Sequence, residues 1–194
     1  QPAWAMPAAP WAARSGHAVL FTQANSLPPA TIAALKEHED ANVHILGPNT
    51  VIGPAVERQL RGLADRVERI EAPTPVANAI EFARHMRGSF GWGFIRPGHN
   101  FTVASVTRPM DVAAAATFGG NGVFAPLLLV DEAARLPAEL DGYLLDVQPG
   151  YSGNPSAGVF NSIFVLGDEA AISGAAQARL DEISELVPVD VSDR

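Results

Sequence analysis

Hydrophobic and polar positions alternate along the chain in a way that predicts short strands separated by helices. Residues 43–46 and 163–166 are β-branched, apolar runs, and both end in Leu-Gly before a polar turn and an amphipathic stretch. Such a run is typical of a buried strand, and the glycine marks a sharp turn of the backbone towards the next helix. Over residues 75–87 the apolar positions recur with helical spacing instead, which predicts a helix with one buried stripe. That stripe consists of Val76, Ala79, Ile80 and Ala83.

The chain also repeats itself. Residues 43–60 read VHILGPNTVIGPAVERQL, residues 163–180 read IFVLGDEAAISGAAQARL, and the two segments align without gaps. The positions that carry the same residue in both copies are Leu46, Gly47, Ile52, Ala55 and Leu60, matched by Leu166, Gly167, Ile172, Ala175 and Leu180. Since one unit is too small to cover a sheet on both faces, the repeat predicts a single α/β domain. We expect a three-layer, mainly parallel sheet built from two homologous strand-helix repeats, about 1–87 and 88–194.

The remaining elements follow from the same patterns. Further strands are predicted over residues 18–22, 66–70, 92–95, 126–130 and 187–189, and further helices over residues 3–14, 28–38, 54–63, 110–117, 137–145 and 174–186. Residues 148–161, rich in Gly, Pro, Ser and Asn, are an insertion in the second unit. The strand at 92–95 has no counterpart upstream of the first unit. We therefore expect the chain to be a piece of a longer protein, with an exposed sheet edge or apolar patch where further sequence would pack.

Composition narrows the classes of function. The hydrophobic content of 47% is that of a globular protein with an ample core, and no apolar stretch approaches the ~20 residues of a membrane span. Cysteine is absent, which excludes disulfides, zinc-thiolate sites and thiol catalysis. A formal net charge of −8 argues against general nucleic-acid binding.

Motifs for catalysis or cofactors are largely missing, so we expect no cofactor and no metal site. The segment around Ser156 lacks the first glycine of a nucleophile elbow, and Lys36, the one lysine, follows no phosphate-binding loop. The histidines show no metal-ligand spacing, and a packed or hydrogen-bonded side chain is the favoured interpretation of His44 in its strand. The pairs at 131–132 and 168–169 are acidic and follow predicted strands. They are candidate cation ligands, but turn and helix-cap chemistry is the favoured interpretation.

One window differs in charge from the rest of the chain. Residues 82–110 contain no acidic residue but hold Arg84, Arg87, Arg96 and Arg108 together with His85 and His99. Aromatic residues are interspersed among them: Phe90, Trp92, Phe94 and Phe101. Arginine forks suit carboxylates and phosphates, and aromatic faces suit sugar rings, so the window predicts a binding surface. The alternative is that the aromatic rings are core and the arginines pair with acids such as Glu71 and Glu81. Both interpretations stay open.

The ordered motifs resemble a known family, the clostridial-type cell-wall-binding repeat (type 2). The family's signatures are, in order, an Asp-Ala helix, an Ala-Pro-Leu-Leu strand, Leu-Pro, Leu-Gly and Ile-Ser. The matching residues of this chain, in the same order, are Asp111 to Ala116, Ala125 to Leu129, Leu136-Pro137, Ile163 to Gly167 and Ile172-Ser173. The family's second glycine is Pro48 in one copy and Asp168 in the other. Asp111, as the residue before the Ala-rich helix, is expected to cap that helix or to line the crest of the sheet.

The resemblance implies a non-catalytic module that anchors a surface or secreted protein to the cell wall. The implied partners are an anionic wall polymer or glycan, and further repeats of the same protein or other copies of it. No nucleic acid and no membrane span are expected, and the implied location is extracellular. The candidate ligand-binding residues are Arg84, Arg87, Arg96, His99, Arg108 and Asp111. The alternative function is an α/β enzyme or small-ligand-binding domain with its site at the carboxyl ends of the strands, around Asp111 and Asp168.

Overall fold

The computed structural model of the protein describes residues 1–38, 40–120 and 122–189. Its helices are α1 (Ala8–Ser15), α2 (Pro29–Lys36), α3 (Pro54–Leu60), α4 (Pro75–Arg84), α5 (Val112–Gly119), α6 (Ala138–Asp146) and α7 (Gly174–Ser184). Its strands are β1 (Asn42–Leu46), β2 (Arg66–Ile70), β3 (Met86–Arg87), β4 (Phe90–Gly91), β5 (Asn100–Ser105), β6 (Leu127–Val130), β7 (Gly150–Tyr151), β8 (Ser162–Leu166) and β9 (Val187–Pro188). Short 3₁₀ turns lie at Pro2–Trp4 and Pro155–Ala157.

The strands form small sheets, most of them parallel. β1 and β2 pair in parallel from Asn42 opposite Arg66 to Leu46 opposite Ile70. β5 lies at the centre of a second parallel sheet, between β6 and β8. β3 and β4 form a short antiparallel hairpin, and β7 in the predicted insertion pairs in parallel with β9. The fold is therefore α/β, as predicted, but its strands are divided among separate small sheets and do not form one continuous sheet.

The predicted strand at residues 92–95 is wrong. The chain there turns back onto the end of α4, so its backbone bonds to α4 and not to another strand. Gly93 and Phe94 donate backbone hydrogen bonds to the carbonyls of His85 and Ala83, each at 2.9 Å, and Gly91 and Gly93 have φ angles of 103° and 70°. β5, a few residues further along the chain, takes the central place of the three-stranded sheet.

The predicted strand at residues 18–22 is also wrong. This segment has no regular structure, and its apolar side chains are exposed, with Val19, Leu20 and Phe21 at 39%, 44% and 69%. The corresponding segment of the second unit, β6, forms a strand because β5 pairs with it. Within the described residues, 18–22 have no such neighbour. An apolar sequence thus fails to form a strand where no partner offers backbone hydrogen bonds.

Two hydrophobic clusters hold the described residues together. The larger joins the three-stranded sheet to α4, α6 and α7, and the predicted stripe of α4 is confirmed, since Val76, Ala79, Ile80 and Ala83 are all buried. The smaller contains Leu27, Leu35, Ile45, Val56, Leu60 and Val67, from around β1, β2, α2 and α3. Ile172 is fully buried in the larger cluster, and Ile52 is partly buried against the smaller one.

Helices α1 and α5 meet at an unusually close contact. A Cβ atom added at Gly119 would lie 2.0 Å from the carbonyl oxygen of Pro10, so only glycine allows this approach of the two backbones. Trp11, the next residue of α1, is buried against the rings of Phe82, Phe90 and Trp92. In the described part of the chain, no helix is both long enough and apolar enough to cross a membrane.

Candidate functional site

Arg84 ends α4 and Arg87 lies in β3, while the other four predicted site residues lie at the two ends of β5. Arg96 and His99 precede this strand, whereas Arg108 and Asp111 follow it. Strand residues advance about 3.3 Å each, so the two groups lie roughly 20 Å apart along the six-residue strand. The candidate residues therefore do not converge on one point.

Most arginines of the basic window pair with acids from other parts of the chain. Arg84 contacts Asp146 at 2.6 Å, Arg108 contacts Asp168 at 2.8 Å, and Arg87 pairs with Glu68. The pairing that the sequence left open is thus observed, but with acids other than Glu71 and Glu81. These pairs are partly exposed, and exposed ion pairs contribute only about 0–1 kcal/mol, so an anionic ligand can compete for the same arginines.

Arg96 differs from the other arginines of the window. It is exposed, and within the described residues it makes no ion pair and no side-chain hydrogen bond. Its guanidinium group therefore has all its donors available for a ligand.

The aromatic residues of the window belong largely to the core. Trp92, Phe94 and Phe101 are buried, and Phe90 is half-buried against Trp11 and Phe82. The interpretation of these rings as core residues is therefore confirmed, and it leaves no stacking platform for sugars at these positions. His99 stacks on Phe94 with 3.7 Å between ring centroids, and burial lowers its pKa below the ordinary value for histidine.

The carboxyl end of the three-stranded sheet carries the acidic residues that were considered as cation ligands. Oδ1 of Asp168 accepts hydrogen bonds from Arg108 at 2.8 Å and from the backbone N–H of Ala171 at 3.0 Å. Desolvation alone would raise the pKa of Asp168, but the hydrogen bond and charge of Arg108 and the backbone donors lower it. Glu132 pairs with Arg135 in the turn after β6. Asp168 thus takes part in the turn through Ala171, as the favoured interpretation predicts, whereas Glu132 makes an ion pair.

Asp111 stands at the N-cap position of α5, yet its side chain makes no capping hydrogen bond. The expectation that it caps the helix is wrong, because the backbone at Asp111 is already helical (φ −67°, ψ −21°) and the carboxylate is turned towards the turn after β8. A Cβ added at Gly167 would lie 3.1 Å from Oδ2 of Asp111. That oxygen is buried and has no hydrogen-bond partner within the described residues.

An open cleft lies away from Asp111 and Asp168. It is an open groove of about 550 Å³ between β8 and α7, lined by residues that include Asn161, Ile163, Gln177 and Asp181. Neither Asp111 nor Asp168 lines it. The enzyme alternative, which needs an enclosed cleft around those two residues, gains no support from this groove.

His44, Glu68 and His85 form a polar cluster that was not predicted from the sequence. His44 and Glu68 are direct neighbours across β1 and β2, and His85 follows α4. One ligating atom from each lies within 4.8 Å of the other two. The alternation of Val43, His44 and Ile45 does place His44 on one face of its strand, but only the parallel register brings Glu68 beside it. No local spacing signals His85.

The architecture defines an α/β domain of small, mostly parallel sheets. No family model matches the sequence, and no curated protein sequence matches it. Among solved structures, the fold is similar to Cwp8 from Clostridium difficile, with a TM-score of 0.66 and 18% sequence identity over 96% of this chain. It is also similar to Cwp6 from Clostridium difficile, with a TM-score of 0.71 and 14% identity over 95% of this chain. The chain spans 29% of the length of Cwp8 and 26% of the length of Cwp6.

Proposed function

We propose that this chain is a non-catalytic cell-wall-binding module of an extracellular or surface protein. The observation that carries the proposal is the similarity of nearly the whole chain to about a quarter of two clostridial cell-wall proteins, Cwp8 and Cwp6. The ordered cell-wall-binding motifs of the sequence support the same assignment independently. The proposed partners, besides the wall polymer, are further repeats of its own protein or other copies of the module.

The duplication into two strand-helix repeats is part of this proposal, and the local geometry supports it. Gly47 after β1 and Gly167 after β8 have φ angles of 117° and 126°. In both turns the residue after the glycine accepts backbone hydrogen bonds: Pro48 accepts from Val51 and Ile52 at 2.9 and 3.0 Å, and Asp168 accepts from Ala171 and Ile172 at 2.9 and 3.0 Å.

The start of the following helix also matches between the two units. The N–H of Gly53, before α3, donates to Ala24 at 2.7 Å, and the N–H of Ser173, before α7, donates to Ala133 at 2.9 Å. The two acceptors lie in the loops that precede α2 and α6. Matching long-range bonds at matching sequence positions are expected of two copies of one ancestral unit.

The proposed ligand is an anionic wall polymer, with Arg96 as its first contact. The proposal rests on the exposure of Arg96 and on the exchangeable ion pairs of Arg84, Arg87 and Arg108 in an otherwise acidic chain. His99 and Asp111 remain candidates for the ends of the binding surface. Binding of this kind is screened by salt, so affinity should fall as the ionic strength rises past ~0.15 M, where the Debye length is about 8 Å.

The test is retention of the purified protein on isolated clostridial wall polymer across a series of salt concentrations. We expect the double variant Arg96→Ala/Arg108→Ala to be retained several-fold less well than wild type, with a nearly unchanged thermal midpoint. Arg58→Ala is the matched control, because Arg58 is an exposed helical arginine outside the basic window. Equal retention of the double variant and the control at low salt would refute the anionic-polymer assignment. Retention that is independent of salt but competed by neutral glycans would point to a neutral ligand instead.

A further inference from the structure

Three polar side chains converge at the junction between the β1–β2 sheet and the end of α4. His44 lies in β1, Glu68 lies opposite it in β2, and His85 is the residue directly after α4. A ligating atom of each lies within 4.8 Å of the other two, and Nδ1 of His44 is 3.9 Å from Oε2 of Glu68. The three elements are far apart in sequence, so the cluster is a product of the fold.

The converging atoms lack partners although they are buried. Nδ1 of His44, Oε2 of Glu68 and Nε2 of His85 have no hydrogen-bond partner within the described residues. A separation of 3.9 Å is too long for a hydrogen bond between His44 and Glu68. Buried polar atoms are nearly always satisfied, and unsatisfied ones that face each other require an explanation. A cation between them would satisfy all three at once.

The surroundings hold each side chain in place. The ring of His44 stacks on Phe90 with 3.4 Å between centroids, and the second carboxylate oxygen of Glu68 accepts a hydrogen bond from Arg87. A second partner of this kind orients a ligating carboxylate. His85 is fixed through its backbone, because its carbonyl accepts from Gly93 and passes so close to Gly91 that a Cβ there would lie 2.2 Å from it.

The cluster also lies beside a cleft in the protein surface. This cleft of about 350 Å³ is lined by Glu68 and Arg87 and offers a path from solvent.

We propose that His44, Glu68 and His85 form a binding site for one divalent transition-metal ion, for which Zn²⁺ is the best match. Two imidazole nitrogens and one carboxylate oxygen suit Zn²⁺ and its first-row neighbours, whereas Ca²⁺ and Mg²⁺ take sets of oxygen ligands. Tetrahedral Zn²⁺ places its ligand atoms about 3.3 Å apart. Small side-chain rotations that move the ligating atoms by roughly 1 Å would therefore bring all three within bonding distance of the ion. The fourth position is left for water or an external ligand. The ion would tie the β1–β2 sheet to the α4–β3 junction.

The test is a titration of the chelator-stripped protein with Zn²⁺ by calorimetry and with Co²⁺ by visible absorption. Wild type should bind one equivalent, show the intense bands of tetrahedral Co²⁺, and gain thermal stability with Zn²⁺. His85→Ala and Glu68→Gln should each weaken Zn²⁺ binding by at least about 100-fold. His38→Ala is the matched control, because His38 is an exposed histidine after α2, and it should bind like wild type.

Each outcome of the titration either supports or contradicts the metal site. Circular dichroism establishes that each variant is folded, and Glu68→Gln keeps the size of the side chain in case His85→Ala is destabilised. Loss of binding in the folded Glu68→Gln variant with full binding in His38→Ala supports the site. Wild-type binding that survives both ligand variants, the absence of binding at ~100 μM Zn²⁺, or equal competition by Mg²⁺ would overturn it. None of these results depends on wall-polymer retention, so the metal site and the proposed function stand or fall separately.

Discussion

Replacing Gly119 with alanine should show whether the contact between α1 and α5 limits the stability of the protein. The added Cβ would lie 2.0 Å from the carbonyl oxygen of Pro10 and 2.6 Å from the Cα and carbonyl carbon of that residue. Non-bonded carbon atoms prefer to lie about 3.5–4.0 Å apart, so the helices would have to separate by roughly 1–1.5 Å. The neighbour is backbone, which has no rotamer to change.

The magnitude follows from two opposing effects. Overpacking of this kind costs about 1–3 kcal/mol, and the better helix propensity of alanine returns up to about 1 kcal/mol. The backbone at Gly119 is helical, so no strain at positive φ is added. We therefore expect Gly119→Ala to lower the free energy of unfolding by about 1–2 kcal/mol. For a chain of this size that corresponds to a thermal midpoint lower by roughly 2–8 °C.

The assay is urea unfolding followed by circular dichroism, with Gly142→Ala as the matched control. Gly142 lies inside α6, is exposed, and has nothing within 4 Å of an added Cβ. Its replacement should therefore stabilise the protein by about 0.5–1 kcal/mol through helix propensity alone. If Gly119→Ala stabilises the protein as much as Gly142→Ala does, the close contact between α1 and α5 is not present in solution.

Two further substitutions examine single interactions. Tyr143→Phe should cost about 1–2 kcal/mol in urea unfolding, because the buried hydroxyl of Tyr143 donates to the carbonyl of Phe94 at 2.9 Å and that carbonyl would be left unpaired; an unchanged unfolding midpoint would contradict this. Hydrogen bonds from Arg69 and Arg61 lower the pKa of Glu57 below its ordinary value of 4.5. The stabilisation of the fold by the ionised carboxylate is therefore present above that pH and is lost as the pH falls through the lowered pKa. Glu57→Gln should therefore be less stable than wild type at pH 7, by less than about 1 kcal/mol, and the difference should shrink as the pH falls through the lowered pKa of Glu57. A difference that does not shrink on acidification would show that the charge of Glu57 is not its cause.

Local patterns predicted those elements whose formation depends on their own residues. The run around Ile45, the alternation around Val67 and the helical stripe of α4 all became the elements expected of them. Residues 18–22 failed because a strand also needs a neighbour, which an apolar pattern cannot reveal. β5 was overlooked because Asn100, Thr102 and Ser105 give it a mixed polar sequence, although Thr102 and Ser105 are buried.

The candidate site was harder to predict because its electrostatics are non-local. A window without acidic residues suggested free arginines, yet Arg84 and Arg108 find their acids 62 and 60 residues further along the chain. The same limitation concealed the cluster of His44, Glu68 and His85, which exists only through strand register and the turn after α4. Arg96 is exposed and makes no ion pair within the described residues, and its part in ligand binding stays a prediction.

The presence of two hydrophobic clusters has a consequence for how the protein opens. The smaller cluster, around Ile45 and Val56, holds β1, β2, α2 and α3 together. It contains far fewer buried side chains than the larger cluster. Leu46 ends β1 and Ile70 ends β2, and both side chains pack in or against the larger cluster. They therefore connect the β1–β2 sheet to the larger cluster. Amide hydrogens of β1 and β2 should therefore exchange with solvent through a partial opening that leaves β5, β6 and β8 intact. Under mechanical load, the part of the chain around β1 and β2 should therefore unfold and extend first, while the three-stranded sheet remains folded.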